Sequence, residues 1–380
     1  MRLVVSAVTA RMGGALVHLR NVISAWRDHV EDHEIWILVP PVHVEELDAP
    51  FLPGNVRLLR SAFTLQSPLG AWIWTHVRLP SVLKELEAEV LLSMHNLAPW
   101  AHTCPTVLLV SNALYFSRIY EREIRTLDRK LYWDMRMRRV LVEQSMRAAD
   151  VVVTPTAALK ADILRLCTMK EERIQVAPWG VDNSIFRSRI RQRNIEDGTA
   201  NLLFVSHHAP HKSFPTLVEA CHILRTTSRI KFELTLTISE GENHPHSNRT
   251  VAMIKELGLI DWVRLVGSKP QKAAPGLYAD ADLFIFPSYC ESFGLPMVEA
   301  MASGLPIVAA DTPNNREICG PAAVYFPPFE SQALADLLEE VLGNVSLRQS
   351  LASAGLERSE SFSWHSTAGR LLELAANAKV

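Results

Sequence analysis

Residues 282–304 read DLFIFPSYCESFGLPMVEAMASG, and this stretch indicates the class of fold. Its first residues form a short apolar run that is typical of a buried strand. A helical pattern follows from Pro296, since proline suits the first turn of a helix, where its missing N–H costs no hydrogen bond. A strand, a loop and a helix in this order form the repeating unit of a parallel α/β sheet.

The same alternation of strands and helices extends along the chain in both directions. We expect a doubly wound parallel sheet in each half, because strands that alternate with helices are joined by crossovers. The predicted strands cover residues 2–8, 34–39, 89–93, 106–110, 150–153, 201–206, 231–238, 262–266, 282–286, 306–309 and 323–326. The predicted helices cover residues 15–26, 215–227, 247–258, 296–303, 331–342 and 364–378.

A charged stretch without clear periodicity, residues 187–198, separates the two halves. We therefore predict one Rossmann-like domain over residues 1–178 and a second over residues 179–360. The last segment, residues 361–380, contains an apolar-patterned helix that could pack on either domain. We interpret it as a helix that crosses back to the first domain.

Composition excludes several classes of protein. The 380 residues include 39 Lys and Arg against 41 Asp and Glu, a net charge of −2, which disfavours a nucleic-acid-binding protein. No run of about 18 uncharged apolar residues could span a membrane, and the start lacks a signal-peptide pattern. Dispersed cysteines without a C-x-x-C pair favour a reducing, cytoplasmic compartment. They are Cys104, Cys167, Cys221, Cys290 and Cys319.

Two carboxylates flank the start of the helix predicted at Pro296. Glu291 falls in the loop before it and Glu299 about one turn inside it, while Gly294 allows close backbone approach. The amides of residues 293–298 would point at an anion, and the carboxylates could hold one sugar and one ribose hydroxyl group. The alternative is that Glu299 caps the helix and Glu291 is a solvated loop residue, and the spacing alone leaves both open.

Residues 282–312 resemble the E-x7-E region of glycosyltransferase family 4, whose members are retaining enzymes of the GT-B fold that use nucleotide sugars. The resemblance implies two Rossmann-like domains with parallel sheets that face each other across a cleft. Weaker matches follow the family's order along nearly the whole chain. They are Gly13-Gly14, residues 151–164, 177–187 and 263–282, and a strand-loop-helix segment at 205–220 that carries Lys212.

The resemblance implies roles for individual residues in donor binding. Lys212 would bind the diphosphate and stabilise its growing charge, which makes it a catalytic candidate together with Glu291. Glu291 would hold hydroxyls of the donor sugar, and Glu299 would hold the ribose. The other donor-binding candidates are Ser206, His207 and His211, which precede Lys212, and five residues that contribute backbone at two glycine-containing loops: Gly13, Gly14, Phe293, Gly294 and Leu295. No metal or other cofactor is expected, since Lys212 and helix amides would meet the phosphate charge.

The chain departs from the family near Lys212. Many relatives place an arginine six residues before this lysine, where the present chain has Ser206. The run that follows contains His207, His208 and His211, and one of them could supply the missing donor or positive charge. A metal site built from the three histidines is poorly supported, because no acidic ligand neighbours them.

A second departure concerns the acceptor side of the first domain. Relatives often carry a histidine where this chain has Ser111 and Asn112. The polar pair His95 and Asn96, after another predicted strand, is the alternative, with His95 as a catalytic candidate. A buried histidine satisfied by backbone groups is the competing interpretation of His95.

Residues 117–139 combine eight Lys or Arg and four Asp or Glu with apolar residues at helical spacing. A basic amphipathic helix of this kind can lie on an anionic membrane surface. The mixed charges equally fit a solvated helix that packs on its own domain.

The resemblance implies a retaining transferase that moves a sugar, mannose or glucose in type, from a nucleoside-diphosphate sugar. The acceptor would be a saccharide or a lipid-linked saccharide in bacterial surface polysaccharide or glycolipid synthesis, at the inner face of the membrane. Two rivals remain: a nucleotide-sugar epimerase on the same fold, and a catalytically inactive GT-B binding protein. A dinucleotide dehydrogenase is disfavoured, because residues 9–20 lack the G-x-G-x-x-G pattern.

Overall fold

A computed structural model of the chain describes residues 1–8, 14–28, 33–40, 54–60, 68–94, 96–101, 103–186, 195, 198–240, 245–270 and 273–378. Two of the predicted site residues, Gly13 and His95, lie outside the described residues. The chain divides into two compact units, one formed by Met1–Gly180 with Ser363–Val380 and one by Val181–Phe362. The sequence had placed these boundaries after residues 178 and 360.

The first unit is built on a parallel sheet whose described strands follow the order β3-β2-β1-β4-β5-β6-β7. Apolar runs form the central strands, and β1, β4 and β5 are buried almost throughout, as expected for a sheet covered on both faces. The strands are β1 Arg2–Ser6, β2 Glu34–Val39, β3 Val56–Arg60, β4 Val90–Ser93, β5 Thr106–Leu109, β6 Val151–Thr154 and β7 Ile174–Val176.

Helices connect these strands. The prediction for residues 117–139 differs from the structure in the number of helices. The single amphipathic helix expected over residues 117–139 is two helices, because Asp128 accepts hydrogen bonds from the amides of Lys130 and Leu131 and starts a new helix. The helices of the first unit are α1 Gly14–Ala25, α2 Pro68–Ile73, a π-helical turn Trp74–Arg78, α3 Leu79–Glu85, α4 Arg118–Leu127, α5 Arg129–Ala148 and α6 Ala157–Leu166.

The last helix of the chain, α14 Trp364–Asn377, belongs to the first unit. Its Thr367 hydroxyl donates to the carbonyl of Pro178 at 2.6 Å, and the buried Trp26 indole donates to the carbonyl of Ala368 at 3.2 Å. Gly180 lies so close to this helix that a Cβ atom on it would stand 2.1 Å from the backbone nitrogen of Trp364. The start of α14 therefore requires a residue without a side chain at position 180.

The second unit contains a parallel sheet with the strand order β10-β9-β8-β11-β12-β13 among the described residues. Strand order reverses between β8 and β11, which pair directly, and such a switch point is where open α/β sheets bind ligands. The strands are β8 Thr199–Phe204, β9 Lys231–Leu236, β10 Val263–Leu265, β11 Leu283–Phe286, β12 Ile307–Ala310 and β13 Ala323–Phe326.

The helices of the second unit cover both faces of its sheet. Where the sequence predicted a helix, the first and last residues of the observed helix agree with the prediction within two residues. They are α7 Phe214–Thr227, α8 Pro245–Glu256, α9 Ala274–Asp280, α10 Leu295–Ala302, α11 Pro313–Cys319, α12 Ser331–Gly343 and α13 Val345–Ser359. Within the described ranges, no helix of either unit has the length and apolar character needed to cross a bilayer.

Candidate functional site

Two loops of the second unit meet at the carboxyl ends of β8 and β11. These strands are neighbours, so the loop that leaves each of them emerges at the same edge of the sheet. The amide of Tyr289, in the loop after β11, donates to the carbonyl of His211 in the loop after β8 at 3.0 Å. This bond ties together the two segments that carry the predicted donor-binding residues.

Lys212 and Glu291 form an ion pair across this junction. The Lys212 Nζ lies 2.5 Å from the Glu291 Oε1, and both side chains are about nine-tenths buried. The Lys212 ammonium also lies 5.9 Å from the centre of the Phe286 ring, at the end of β11. Since burial removes most competing water, the pair holds a positive and a negative group in fixed positions at the sheet edge.

Two helix N-termini open beside this ion pair. Helix α7 begins after Ser213, whose φ is +50°, and helix α10 begins after Gly294, whose φ is +93°. Glycine is favoured at 294 because of this positive φ, whereas a Cβ there would meet only the flexible end of Met297, at 2.5 Å from its Cε. Neither N-cap residue, Ser213 or Gly294, makes a side-chain capping hydrogen bond, and proline takes the second position of each helix, so the amides of Phe214 and Leu295 are the first donors at the two helix ends. Backbone amides at a helix N-terminus next to a lysine favour an anion.

Glu299 lies in the second turn of α10 and accepts a hydrogen bond of 2.6 Å from the Tyr278 hydroxyl. Burial raises the pKa of Glu299 to about 7, although the hydrogen bond from Tyr278 opposes that shift. Tyr278, in α9, is buried, and its pKa is raised well above the usual range by burial and by the nearby carboxylate. The sequence analysis missed this tyrosine, since nothing in its spacing links it to Glu299.

The serine and histidines before Lys212 have separate surroundings. Ser206 binds Thr237 through its backbone, and its hydroxyl donates to the His207 carbonyl at 2.9 Å. His207 is exposed, with its ring centre 6.3 Å from that of the buried His211. Burial, and to a smaller extent the charge of Lys212, hold the pKa of His211 well below its usual value. The His211 side chain is therefore neutral at pH 7.

His208 is held apart from these groups. Its ring stacks on Phe214 at 4.5 Å, and its Nε2 lies 2.8 Å from the Thr250 hydroxyl. His208 therefore stabilises the loop, and His211 cannot replace the missing arginine as a cation. Of the three histidines in the run, His207 remains as the candidate for that positive charge.

Two buried asparagines brace the loop that carries Glu291. The Asn314 side chain donates to the Phe293 carbonyl at 3.0 Å, and the Asn315 side chain donates to the Ser288 carbonyl at 3.1 Å. Both stand at the start of α11, where Thr312 accepts from the Asn315 amide as the N-cap. Their only sequence signal was a pair of asparagines after a strand, a pattern that also describes an ordinary helix start.

In the first unit, the structure brings together the acceptor candidates that it describes. The Asn96 Oδ1 accepts from the amides of Ser111 at 2.9 Å and Asn112 at 3.2 Å, and Asn96 has a φ of +77°. The Asn112 side chain accepts in turn from the Leu114 amide at 3.1 Å. Asn96 and Asn112 thus order this strand edge. Gly14 is the first residue of α1.

The described residues contain no cluster of three or more His, Cys, Asp or Glu side chains placed to bind a metal ion. One D-x-D triplet, a pattern used by metal-dependent sugar transferases of another fold, occurs at residues 280–282. It precedes β11, at the opposite edge of the sheet from Lys212, and Asp282 accepts there from the Asn201 amide at 2.8 Å. Its position gives it no access to the Lys212 site.

Comparison with protein families matches both halves of the chain. The family described as Glycosyltransferase Family 4 matches residues 12–184, and the family described as Glycosyl transferases group 1 matches residues 186–358. The chain belongs to glycosyltransferase family 4. The second match contains Lys212, Glu291 and Glu299.

Curated relatives cover different shares of the chain. The O-antigen chain mannosyltransferase B of Escherichia coli is 26% identical over 59% of this chain and 59% of its own length. The D-inositol 3-phosphate glycosyltransferase of Salinispora arenicola is 29% identical over 95% of this chain and 78% of its own length. The chain spans 56% to 66% of the length of the first three relatives.

Solved structures share the fold. Sucrose-phosphate synthase from Thermosynechococcus elongatus is 17% identical, with a TM-score of 0.80 over 99% of this chain and 98% of its own. HepE from Anabaena, solved with UDP-glucose, is also 17% identical, with a TM-score of 0.72 over 99% of this chain and 100% of its own. These similarities confirm the predicted architecture of two parallel α/β sheets of the GT-B class.

Proposed function

We propose that this protein is a retaining glycosyltransferase that moves a mannose- or glucose-type sugar from a nucleoside-diphosphate sugar to a saccharide or lipid-linked acceptor. We place the reaction in bacterial surface polysaccharide or glycolipid synthesis, on the cytoplasmic side of the membrane. The names of relatives support the sugar class, since they include an O-antigen mannosyltransferase and a structure solved with UDP-glucose.

The observation that carries the proposal is the buried Lys212–Glu291 pair between two helix N-termini. A diphosphate requires positive charge and N–H donors, and a sugar requires hydrogen-bond acceptors for its hydroxyls. At the edge formed by β8 and β11, Lys212 supplies the positive charge and the amides of α7 and α10 supply the N–H donors. Glu291 supplies the acceptors for the sugar hydroxyls. A structural ion pair alone would not need uncapped amides on both sides.

The same groups account for catalysis. When the bond between sugar and diphosphate breaks, negative charge grows on the diphosphate, and Lys212 with the helix amides stabilises it. Glu291 accepts from sugar hydroxyls close to the carbon where positive charge develops. Glu299 lies one turn deeper in α10 and accepts from the ribose, which does not change during the reaction. No metal is required in this arrangement.

We also propose that the first unit contacts an anionic membrane through α5. Trp133, Met137 and Val140 are 60%, 68% and 56% exposed, and their spacing places them on one helix face. Arg122 and Arg125, on α4, are exposed and have no carboxylate partner among the described residues. An apolar stripe with nearby cations fits an anionic lipid surface better than solvent.

The test of the enzymatic proposal uses a panel of nucleotide sugars, including UDP-glucose and GDP-mannose. We expect one of them to raise the melting temperature of the protein and to support sugar transfer to a lipid-linked saccharide in the presence of EDTA. NMR of the product should show the anomeric configuration of the donor.

The alternative functions give different results in the same assay. An epimerase would convert the bound nucleotide sugar without an acceptor, and an inactive binding protein would bind it without turnover. Transfer with inverted configuration would contradict the retaining mechanism. Loss of activity in EDTA, with recovery in Mn²⁺ or Mg²⁺, would contradict metal independence.

A further inference from the structure

The buried Tyr278 hydroxyl is bonded to the half-buried Glu299 carboxylate, and the proposed mechanism assigns a role to Glu299 but none to Tyr278. The hydroxyl donates to the Glu299 Oε2 at 2.6 Å. The Tyr278 ring is held on two sides, with its centre 5.5 Å from that of Phe186 and 5.6 Å from that of Phe284. Because aromatic neighbours fix the ring, the hydroxyl group stays at one position beside the carboxylate.

This hydrogen bond orients the Glu299 carboxylate. A carboxylate has about four acceptor positions on its two oxygens, and the bond from Tyr278 takes one position on Oε2, so acceptor positions on both oxygens lie outside this bond. A hydrogen bond from a tyrosine also favours the ionised over the protonated carboxyl group. Burial acts in the opposite direction and raises the pKa of Glu299 to about 7.

Resting on the proposed function, we propose that Tyr278 is a positioning residue, which fixes the Glu299 carboxylate as an ionised acceptor for the ribose of the donor nucleotide. Ribose hydroxyls are donors toward a carboxylate, so a protonated Glu299 would accept from them less well. The affinity for the nucleotide sugar should therefore fall as the pH decreases through 7. The hydrogen bond from Tyr278 should determine the midpoint pH of this change.

Other charged groups around α10 are directed elsewhere. The strands β11 and β12, which pack on this helix, carry no titratable side chain. The cations on α11 and α13 and the ion pair of the preceding loop are engaged with partners other than Glu299, while the two carboxylates of these helices, Glu317 and Glu357, form no hydrogen bond with Glu299 in the described part of the chain. Arg316 pairs with Asp311, Arg358 donates to the carbonyls of Glu317 and Ile318, Arg348 donates to the carbonyl of Val341, and Lys212 pairs with Glu291.

The experiment measures the Kd of the nucleotide sugar that stabilises the wild type, from pH 5.5 to 8.5. A nucleotide sugar is the suitable probe, because its diphosphate does not change charge in this range. The variants are Tyr278→Phe and Glu299→Gln. The matched control is Tyr325→Phe, since the Tyr325 hydroxyl also makes a 2.6 Å hydrogen bond, to the Gly320 carbonyl, away from Glu299.

We expect wild-type affinity to weaken several-fold between pH 8 and pH 6. Tyr278→Phe should move the midpoint of this change to higher pH, with a several-fold loss of affinity at pH 7 that shrinks at pH 8.5. Glu299→Gln should remove this component of the pH dependence. Tyr325→Phe should follow the wild-type curve.

Three results would overturn the inference. Superimposable curves for Tyr278→Phe and the wild type would exclude a role for the hydroxyl. An equal loss of affinity at every pH would assign Tyr278 to structure alone, and so would a matching shift in Tyr325→Phe. Failure of every nucleotide sugar to bind the wild type would instead refute the proposed function, and with it this inference. If Tyr278→Phe does not fold, the comparison of the wild type with Glu299→Gln still tests the pH dependence.

Discussion

Lys212 and Glu291 stand 79 positions apart in the chain, and their charged atoms meet at 2.5 Å at the edge formed by β8 and β11. The pair is mostly withdrawn from water, so each charge depends on the other for compensation. Replacing one member of the pair should therefore lower both stability and activity, whereas replacing both members should restore stability without restoring activity.

Lys212→Met should reduce kcat/KM at least 100-fold, because the diphosphate loses its cation in the transition state. It should also lower the free energy of unfolding by about 3 kcal/mol, since Glu291 is left buried without a counter-charge. The double variant Lys212→Met with Glu291→Gln should recover most of the stability and none of the activity. Urea unfolding and steady-state kinetics measure both effects. An active single variant would contradict the role of Lys212.

Glu291→Gln and Glu299→Gln should affect different kinetic parameters. Glu291 pairs with Lys212, and the proposed function places the reacting sugar beside it, so its loss should mainly lower kcat. Glu299 is placed deeper in α10, so its loss should mainly weaken the affinity for nucleotide sugar and for free nucleoside diphosphate. Calorimetric titration and initial rates distinguish the two. The reverse pattern would show that the assigned roles are exchanged, and no effect in either variant would make the pair structural.

Glu299→Gln should stabilise the ligand-free protein at alkaline pH. The pKa of Glu299 is raised from 4.5 to about 7 by burial, so the folded state favours the protonated form. That stability is present at low pH and is lost as the pH rises through 7, when the wild type must hold a buried negative charge. Compared with the wild type, the variant should gain on the order of 2 kcal/mol between pH 5.5 and pH 8.5. If the difference in unfolding free energy between the variant and the wild type does not depend on pH, the pKa of Glu299 is not raised in the folded protein.

Gly180→Ala should destabilise the first unit by at least about 2 kcal/mol, because its Cβ would stand 2.1 Å from the Trp364 nitrogen and backbone must move. The control is Gly343→Ala, at the end of α12, where a Cβ meets no atom within 4 Å. That change should be neutral or slightly stabilising. Thermal denaturation of both variants provides the comparison, and equal melting temperatures would rule out close packing at position 180.

Substitution of Trp133, Met137 and Val140 by serine should reduce binding to vesicles that contain phosphatidylglycerol at least five-fold, because the apolar anchor is lost. Vesicles of phosphatidylcholine alone should bind the wild type weakly, since they lack the negative charge. Ile260→Ser is a control for a general loss of exposed apolar surface, as Ile260 is equally exposed in the other unit. Cosedimentation measures the bound fraction. Unchanged binding by the triple variant would assign the stripe another role.

The sequence predicted the alternation of strands and helices because buried parallel strands are apolar runs of distinctive composition. It did not predict that β8 and β11 are neighbours, since strand order depends on long-range packing. A shared role of Lys212 and Glu291 in donor binding was therefore implied only by a family resemblance, and their ion pair was not predicted. The strand β3 was missed because its sequence, VRLLR, is short and contains two arginines.

The residues that support the site were harder to predict than the residues in it. Tyr278 lies 21 positions before Glu299, on another helix, so no local pattern connects them. Asn314 and Asn315 act on backbone carbonyls, which are present at every position and therefore leave no mark in the sequence. The helix break at Asp128 could have been predicted, because an aspartate that interrupts an apolar pattern is a common helix N-cap.

The packing of α14 on the first unit has a consequence for how the protein is made. Residues 181–362 form the second unit from one continuous segment, whereas the first unit needs residues from both sides of it. As the polypeptide leaves the ribosome, the second unit can fold as soon as it emerges. The first unit cannot be completed until α14 has been translated, because Trp26 and Pro178 lack their hydrogen-bond partners before then. Of the two units, the one whose residues begin earlier in the chain is thus the one completed later.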